Sequence, residues 1–332
     1  MKQYISLLFL MACSLILASC DEDSFNTVVE VDLSEYGNQM VVIAAFQPDM
    51  PYFEESQFYV RLVKSNDVLK SDDSFEIISD ASVVIVEDEN LQIPLTHTGS
   101  GYYLAPVDIG RPKEGTNYHI EVNSPEFGTA TANSNVPKKA SFKNAYISNE
   151  DYIDPSGGNE KVEITIELED EASIENYYYL TVNSIYSNPE FGIEDSWVVC
   201  FSSSDPVFDA DEYGSDFIEI EEAADVYYCG GITTFRDLLF EGESKTFKIY
   251  VDHYEIFDYS YNPDTGEEIR TRRDIQLILG SMSRDIYNYK RSARSQSWNQ
   301  DNPFAEPIQV YSNIEGGVGI FGGFVETAMD LE

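Results

Sequence analysis

The chain has 332 residues, of which 60 are acidic and 20 basic, giving a net charge of −40. That excess repels nucleic acid and anionic lipid, which argues against both as partners and leaves acids spread over a solvated surface as the plain reading. With 19 Phe and 23 Tyr in a 42% hydrophobic composition, the chain is not a disordered acidic polypeptide, and its length suits two domains of ordinary size.

At the N-terminus Lys2 is the only charge before Asp21, and the run from Tyr4 to Ala18 is almost wholly apolar or small. A helix that crosses a bilayer needs roughly 20 apolar residues. This run is shorter and begins at a positive charge, which predicts a secretory signal over residues 1–19. Leu17-Ala18-Ser19-Cys20 resembles the lipobox of bacterial lipoproteins. The resemblance implies cleavage before Cys20 and acylation of its sulfur. Leu10-Met11-Ala12-Cys13 has a similar shape, but cleavage there leaves a second apolar stretch on the mature chain. Two or more acyl chains anchor a protein stably where a single one does not. The acids Asp21, Glu22 and Asp23 follow, and residues 20–35 read as a lipidated acidic tether. Such a cluster resembles the signal that sends Bacteroidota lipoproteins to the outer face of the outer membrane.

From residue 36 to 140, short runs with period-two alternation are separated by turn residues, which predicts a β-sandwich. The strand candidates are 39–46, 56–65, 81–106 (with turns at Asp88-Glu89-Asn90 and at Gly99 and Gly101), 115–124 and 128–137. Ala81-x-Val83-x-Ile85, Gly101-x-Tyr103 and Gly115-x-x-Tyr118-x-Ile120-x-Val122 resemble the immunoglobulin-like, carboxypeptidase-regulatory-type domains of bacterial surface proteins. Pro137-Lys138-Lys139 marks the expected boundary.

Residues 141–332 predict a larger β-rich domain, with strands at 160–170, 175–187, 196–203, 245–259 and 273–283. Asn262-Pro263-Asp264-Thr265-Gly266 is turn chemistry that joins the last two as a long hairpin. Cys200 and Cys229 lie in strand-like runs on either side of an acidic loop, and they read either as a disulfide or as two buried thiols. In that loop Asp209, Asp211 and Asp216 surround Gly214 with the alternate spacing of a calcium loop. Tyr213 and Ile220 occupy two of the expected ligand positions, so the competing reading is a solvated acidic loop. One helix is expected near 284–298. Ser283 is its N-cap, Ile286, Tyr289, Ala293 and Trp298 fall near one face, and Arg284, Lys290, Arg291 and Arg294 all belong to it.

Little in the chain points to catalysis. His97, His119 and His253 lie far apart, each in or beside a strand, and read as sheet-surface residues rather than metal ligands. No nucleophile elbow, phosphate loop or dinucleotide fingerprint occurs, and no cofactor is implied. A glycosidase needs two carboxylates at the right separation, and 60 acids single out no pair. The aromatic clusters at 177–179, 102–103 and 257–261 offer platforms for sugar rings, though alternation along a strand sends half of each toward the core.

The last motif is Asn302-Pro303-Phe304-Ala305-Glu306-Pro307, then Tyr311-Ser312-Asn313-Ile314, then Gly316-Gly317-x-Gly319-Ile320-Phe321. With Ser204-Asp205, Phe208 and Phe235-x-Asp237-x-Leu239-Phe240-x-Gly242, it resembles a family of Bacteroidota outer-membrane lipoproteins defined by a domain of unknown function. The resemblance implies a lipid-anchored surface protein encoded beside a TonB-dependent outer-membrane receptor. It would act as a non-catalytic accessory or binding partner in nutrient uptake, with an unknown ligand. The alternatives are a structural or adhesion component of an envelope complex and a carboxylate-dependent glycan hydrolase. Asn302, Pro303, Phe304, Glu306, Pro307, Asn313, Gly316, Gly317, Gly319 and Phe321 are the candidate docking loop. A final hairpin packed on the second domain is the other reading of the same glycines.

Overall fold

Alternating apolar and polar residues become strands when one face of the chain can be buried, and most of this sequence does so. The computed structural model describes residues 38–48, 58–65, 75–88, 90–106, 109, 111–155, 158–171, 174–188, 193–209, 226–228, 233–299 and 308–331. Its first strands are β1 (Met40–Phe46), β2 (Tyr59–Lys64), β3 (Ser82–Glu87), β4 (Leu91–Gly99), β5 (Tyr102–Leu104), β6 (Thr116–Ser124) and β7 (Gly128–Val136). There follow β8 (Phe142–Ile153), β9 (Glu160–Glu169), β10 (Tyr177–Asn188), β11 (Ile193–Val199), β12 (Phe201–Ser203) and β13 (Val226–Tyr228). The series ends with β14 (Thr233–Arg236), β15 (Ser244–Asp252), β16 (Phe257–Tyr261), β17 (Glu268–Arg272), β18 (Asp274–Met282) and β19 (Val318–Leu331). The one long helix among these residues is α1 (Arg284–Asn299). The protein is mainly β, as the sequence predicts.

The first half folds over on itself at β4. Residues 91–95 pair with β3 and residues 96–99 with β5, so β4 leaves one layer and enters another. Pro94 lies next to this change of partner, where its missing N–H is least costly. The layers enclose a core that includes Val42, Phe46, Phe58, Ile85 and Ile120, with Phe46 and Phe58 ring centroids 5.3 Å apart. A second core lies between the β10–β18 layer and the β12–β15–β9–β8 layer. Phe208, Phe235 and Phe247 meet there edge to face. Each such buried side chain contributes about 1.5–3 kcal/mol.

Strand β19 serves both cores. Val318–Gly323 runs parallel to β1, and Phe324–Leu331 runs antiparallel to β18. Phe321 and Val325 enter the first core and Leu331 the second. One hydrogen-bonded path therefore links strands of both halves, in the order β11-β10-β18-β19-β1-β2-β5-β4-β3-β6-β7, and Gln39–Glu332 forms one compact unit.

Helix α1 covers the face of this sheet that neither core uses. Ser283 accepts the Ile286 N–H at 3.3 Å as the N-cap, and Ile286 and Tyr287 pack on Tyr177, Tyr179, Met282 and Ile320. Gly322 permits the close approach, because a Cβ there would lie 2.7 Å from the Ile286 side chain.

Around residues 245–272 the chain departs from the sequence pattern in two places. The 245–259 run is not one strand: β15 ends at Asp252, a one-turn helix His253–Ile256 intervenes, and β16 begins a separate direction. The turn at 262–266 closes the short ribbon β16–β17 rather than a long hairpin.

Candidate functional site

The glycine-rich signature packs closely on the chain's own backbone. A Cβ at Gly316 would sit 2.2 Å from the Thr129 carbonyl oxygen, one at Gly317 2.7 Å from that of Met40, and one at Gly319 2.0 Å from that of Val42. Asn313 holds Phe321 from both sides, accepting its N–H at 3.0 Å and donating to its carbonyl at 2.8 Å. Phe321 is fully buried against Phe46. The close approach these glycines permit is therefore to the chain's own β1 and β7. Asn313, Gly316, Gly317, Gly319 and Phe321 are seam residues rather than a free docking loop, and the seam is a parallel strand rather than a terminal hairpin. Asn302, Pro303, Phe304, Glu306 and Pro307 lie outside the described residues, as does Cys20.

Cys200 is disulfide-bonded and sits between β11 and β12, where the chain passes from one sheet to the other. Cys229 is outside the described residues. So are Asp211, Asp216 and the side chain of Asp209. Among the described residues no group of three or more His, Cys, Asp or Glu is arranged to hold a metal ion.

Two other motif pieces brace the second core. Asp205 accepts the Val207 N–H at 3.0 Å, which caps the turn that buries Phe208. Asp237 accepts the Asn176 N–H at 2.6 Å and is itself buried, which pushes its carboxyl above the usual range. Asp170 accepts from the Tyr178 hydroxyl at 2.6 Å and the Gly242 N–H at 2.8 Å. The tyrosines 177–179 are all buried, Tyr178 in the second core and its neighbours under α1, so they offer no platform. Tyr103 is likewise internal, donating to the Ile78 carbonyl at 3.1 Å.

The third cluster is different. In β16–β17, Tyr259 faces Arg270 across the ribbon, with Phe257 opposite Arg272 and Tyr261 opposite Glu268. Only Phe257 of this ribbon is buried, while Tyr261 is 66% exposed, Tyr259 44% and Ile269 45%. Tyr254, in the turn that leads into it, is 65% exposed.

The ribbon is held at its root. His253 is buried, stacks on Phe257 at 4.2 Å and shares a hydrogen bond with the Tyr259 hydroxyl. The histidine is thus a buried brace rather than the sheet-surface residue expected. The Arg270 guanidinium lies 4.5 Å over the Phe257 ring and donates to Asp151 at 2.5 Å and Glu150 at 3.3 Å. Its hydrogen bond to Asp151 holds that carboxyl below the usual range. Asp151 reaches it from a bulged part of β8. Beside it Arg273 pairs with Asp258 and stacks on Trp197 at 4.8 Å. A two-stranded ribbon is marginal alone, so this arginine and aromatic clamp is what fixes it. Its exposed Tyr and Arg content matches the residues that dominate binding energy at interfaces. The sequence carried a signal for it: Tyr259-x-Tyr261 and Arg270-x-Arg272 stand on either side of one turn, so hairpin register brings them together.

Residues 26–329 match the model of a family described as a domain of unknown function, DUF4249. The chain belongs to that family. No curated protein matches this DUF4249 member. Among solved structures, a biofilm-associated protein BSP domain is similar at 9% identity and a TM-score of 0.21, over 88% of this chain. The match spans 59% of that structure's length, and at that TM-score it carries no argument about fold or function.

Proposed function

We propose that this DUF4249 protein is a Bacteroidota outer-membrane lipoprotein, anchored through acylated Cys20, and a non-catalytic partner of a TonB-dependent receptor in nutrient uptake. The observation that carries the reading is the β16–β17 arm, rigid at its root and exposed at Tyr254, Tyr259 and Tyr261. Such a surface suits one protein docking on another. Leu17-Ala18-Ser19-Cys20 and the acids that follow support a lipid anchor and a surface location.

The test is mild detergent extraction of native membranes, recovery through a C-terminal tag, and mass spectrometry of the partners. Near-stoichiometric recovery of a TonB-dependent barrel is the expected result. Recovery of the lipoprotein alone, or with assembly or adhesion components, overturns the proposal.

A further inference from the structure

We propose that the outer face of β6 and β7 is a binding site for a neutral carbohydrate, away from the arm. This names a ligand class for the uptake reading and rests on that reading for its setting. The site is a depression of about 480 Å³ lined chiefly by Asp88, Asn117, His119, Asn133, Ser134 and Asn135.

Register builds it. Asn117 lies opposite Asn135 and His119 opposite Asn133, two successive cross-strand pairs on one face. Strand geometry spaces such pairs about 7 Å along the chain and about 5 Å across it. The result is a two-by-two array of polar hydrogen-bonding groups on the scale of a sugar ring. His119 Nδ1 and Asn133 Oδ1 are 2.9 Å apart, which leaves the other ring nitrogen and the Asn133 amide nitrogen for a ligand. The Asn117 and Asn135 side chains have no hydrogen-bond partner among the described residues. An amide both donates and accepts, as a sugar hydroxyl does.

The walls are braced from behind. Asp88, at a φ of 44°, accepts the Asn117 N–H at 3.2 Å. Ser134 donates to Asp285 of α1 at 2.7 Å, and Asn313 donates to the Asn133 carbonyl at 3.4 Å. The array is thus preorganised by three separate segments, which lowers the cost of ordering it around a ligand.

The lining also sets the charge of the ligand. Among the described residues it contains no lysine or arginine and one carboxylate, on a chain of net charge −40. Among these residues an anion meets no guanidinium or ammonium group, and a cation meets only the Asp88 carboxylate. Tyr118 turns its ring into the core, so it offers no face for stacking, and recognition falls chiefly to hydrogen bonds.

The purified full-length protein is titrated by calorimetry with maltohexaose, cellohexaose, mannohexaose and xylohexaose. At least one of them should bind saturably. Asn117→Ala/Asn135→Ala should weaken that binding tenfold or more with no change in melting temperature. His119→Gln serves as the second variant if the double variant melts early, with a loss of about fivefold expected. Silence from all four probes, or equal affinity in the variants, overturns the site. Barrel recovery from membranes is measured in parallel on the wild-type protein. If sugar binding is absent and the barrel is still recovered, this inference fails and the uptake reading stands; the reverse result sinks the uptake reading alone.

Discussion

Gly319 adopts a φ of 125°, and any side chain there would enter the Val42 carbonyl. Replacing it by valine combines a disfavoured backbone region with overpacking against the β1 backbone. Gly319→Val should therefore cost about 3 kcal/mol or more. Urea denaturation measures this, and an unchanged midpoint contradicts the seam. The need for glycine was legible in the sequence, but its reason was not, because the obstructing atom belongs to a strand near the other end of the chain. Asp237 is a buried carboxyl. Burial raises its pKa, and a carboxyl raised on folding contributes stability below the unfolded value that is lost as pH rises through the folded one. Asp237→Asn keeps an acceptor for the Asn176 N–H and removes the buried charge. Its stability relative to the wild type should accordingly be greater at neutral pH than in acid. A pH series of thermal melts decides this, and a difference that stays constant or runs the other way counts against it.

At the scale of elements, regular strands and the helix were readable because pattern and burial agree. Helix α1 starts at its Ser283 cap, and Ser283→Ala should cost about 1 kcal/mol, measurable by chemical denaturation. Strand β8 was missed since its register shifts three times, and each bulge breaks the alternation that marks a strand. The buried tyrosines 177–179 were ambiguous for the opposite reason. Both faces of β10 are covered, so alternation carries no information there. For the arm, Arg270→Ala removes the contacts to Asp151, Glu150 and Phe257 together. Hydrogen exchange should rise in β16 and β17 while the two cores keep their protection. Uniformly faster exchange would mean that Arg270 supports the whole fold.

For the whole molecule, the length suited two domains, but the connection of two cores through β19 was not legible. That strand joins β1 to β18, contacts too distant in sequence for any local pattern to announce. The candidate interaction edge was legible only in hindsight, as Tyr and Arg pairs flanking a turn. A global property follows from the buried phenols. Burial and neighbouring carboxylates push Tyr177 and Tyr311 up to about 12, and burial drives Tyr118, Tyr178 and Tyr179 further still. A raised pKa contributes stability below the unfolded value of about 10 that is lost as pH climbs toward the folded one. Alkali should therefore unfold the protein between about pH 10 and 12, with phenolate absorbance rising in step with the loss of structure.

In the proposed function the β16–β17 arm meets a receptor, and a photo-crosslinking residue placed at Tyr261, in cells that carry the native membrane, shows whether it does. The expected result is a covalent adduct with a TonB-dependent barrel. No barrel adduct at Tyr261 or Tyr259, in membranes where the tagged wild type still recovers that barrel, would contradict it and move the interface elsewhere on the protein.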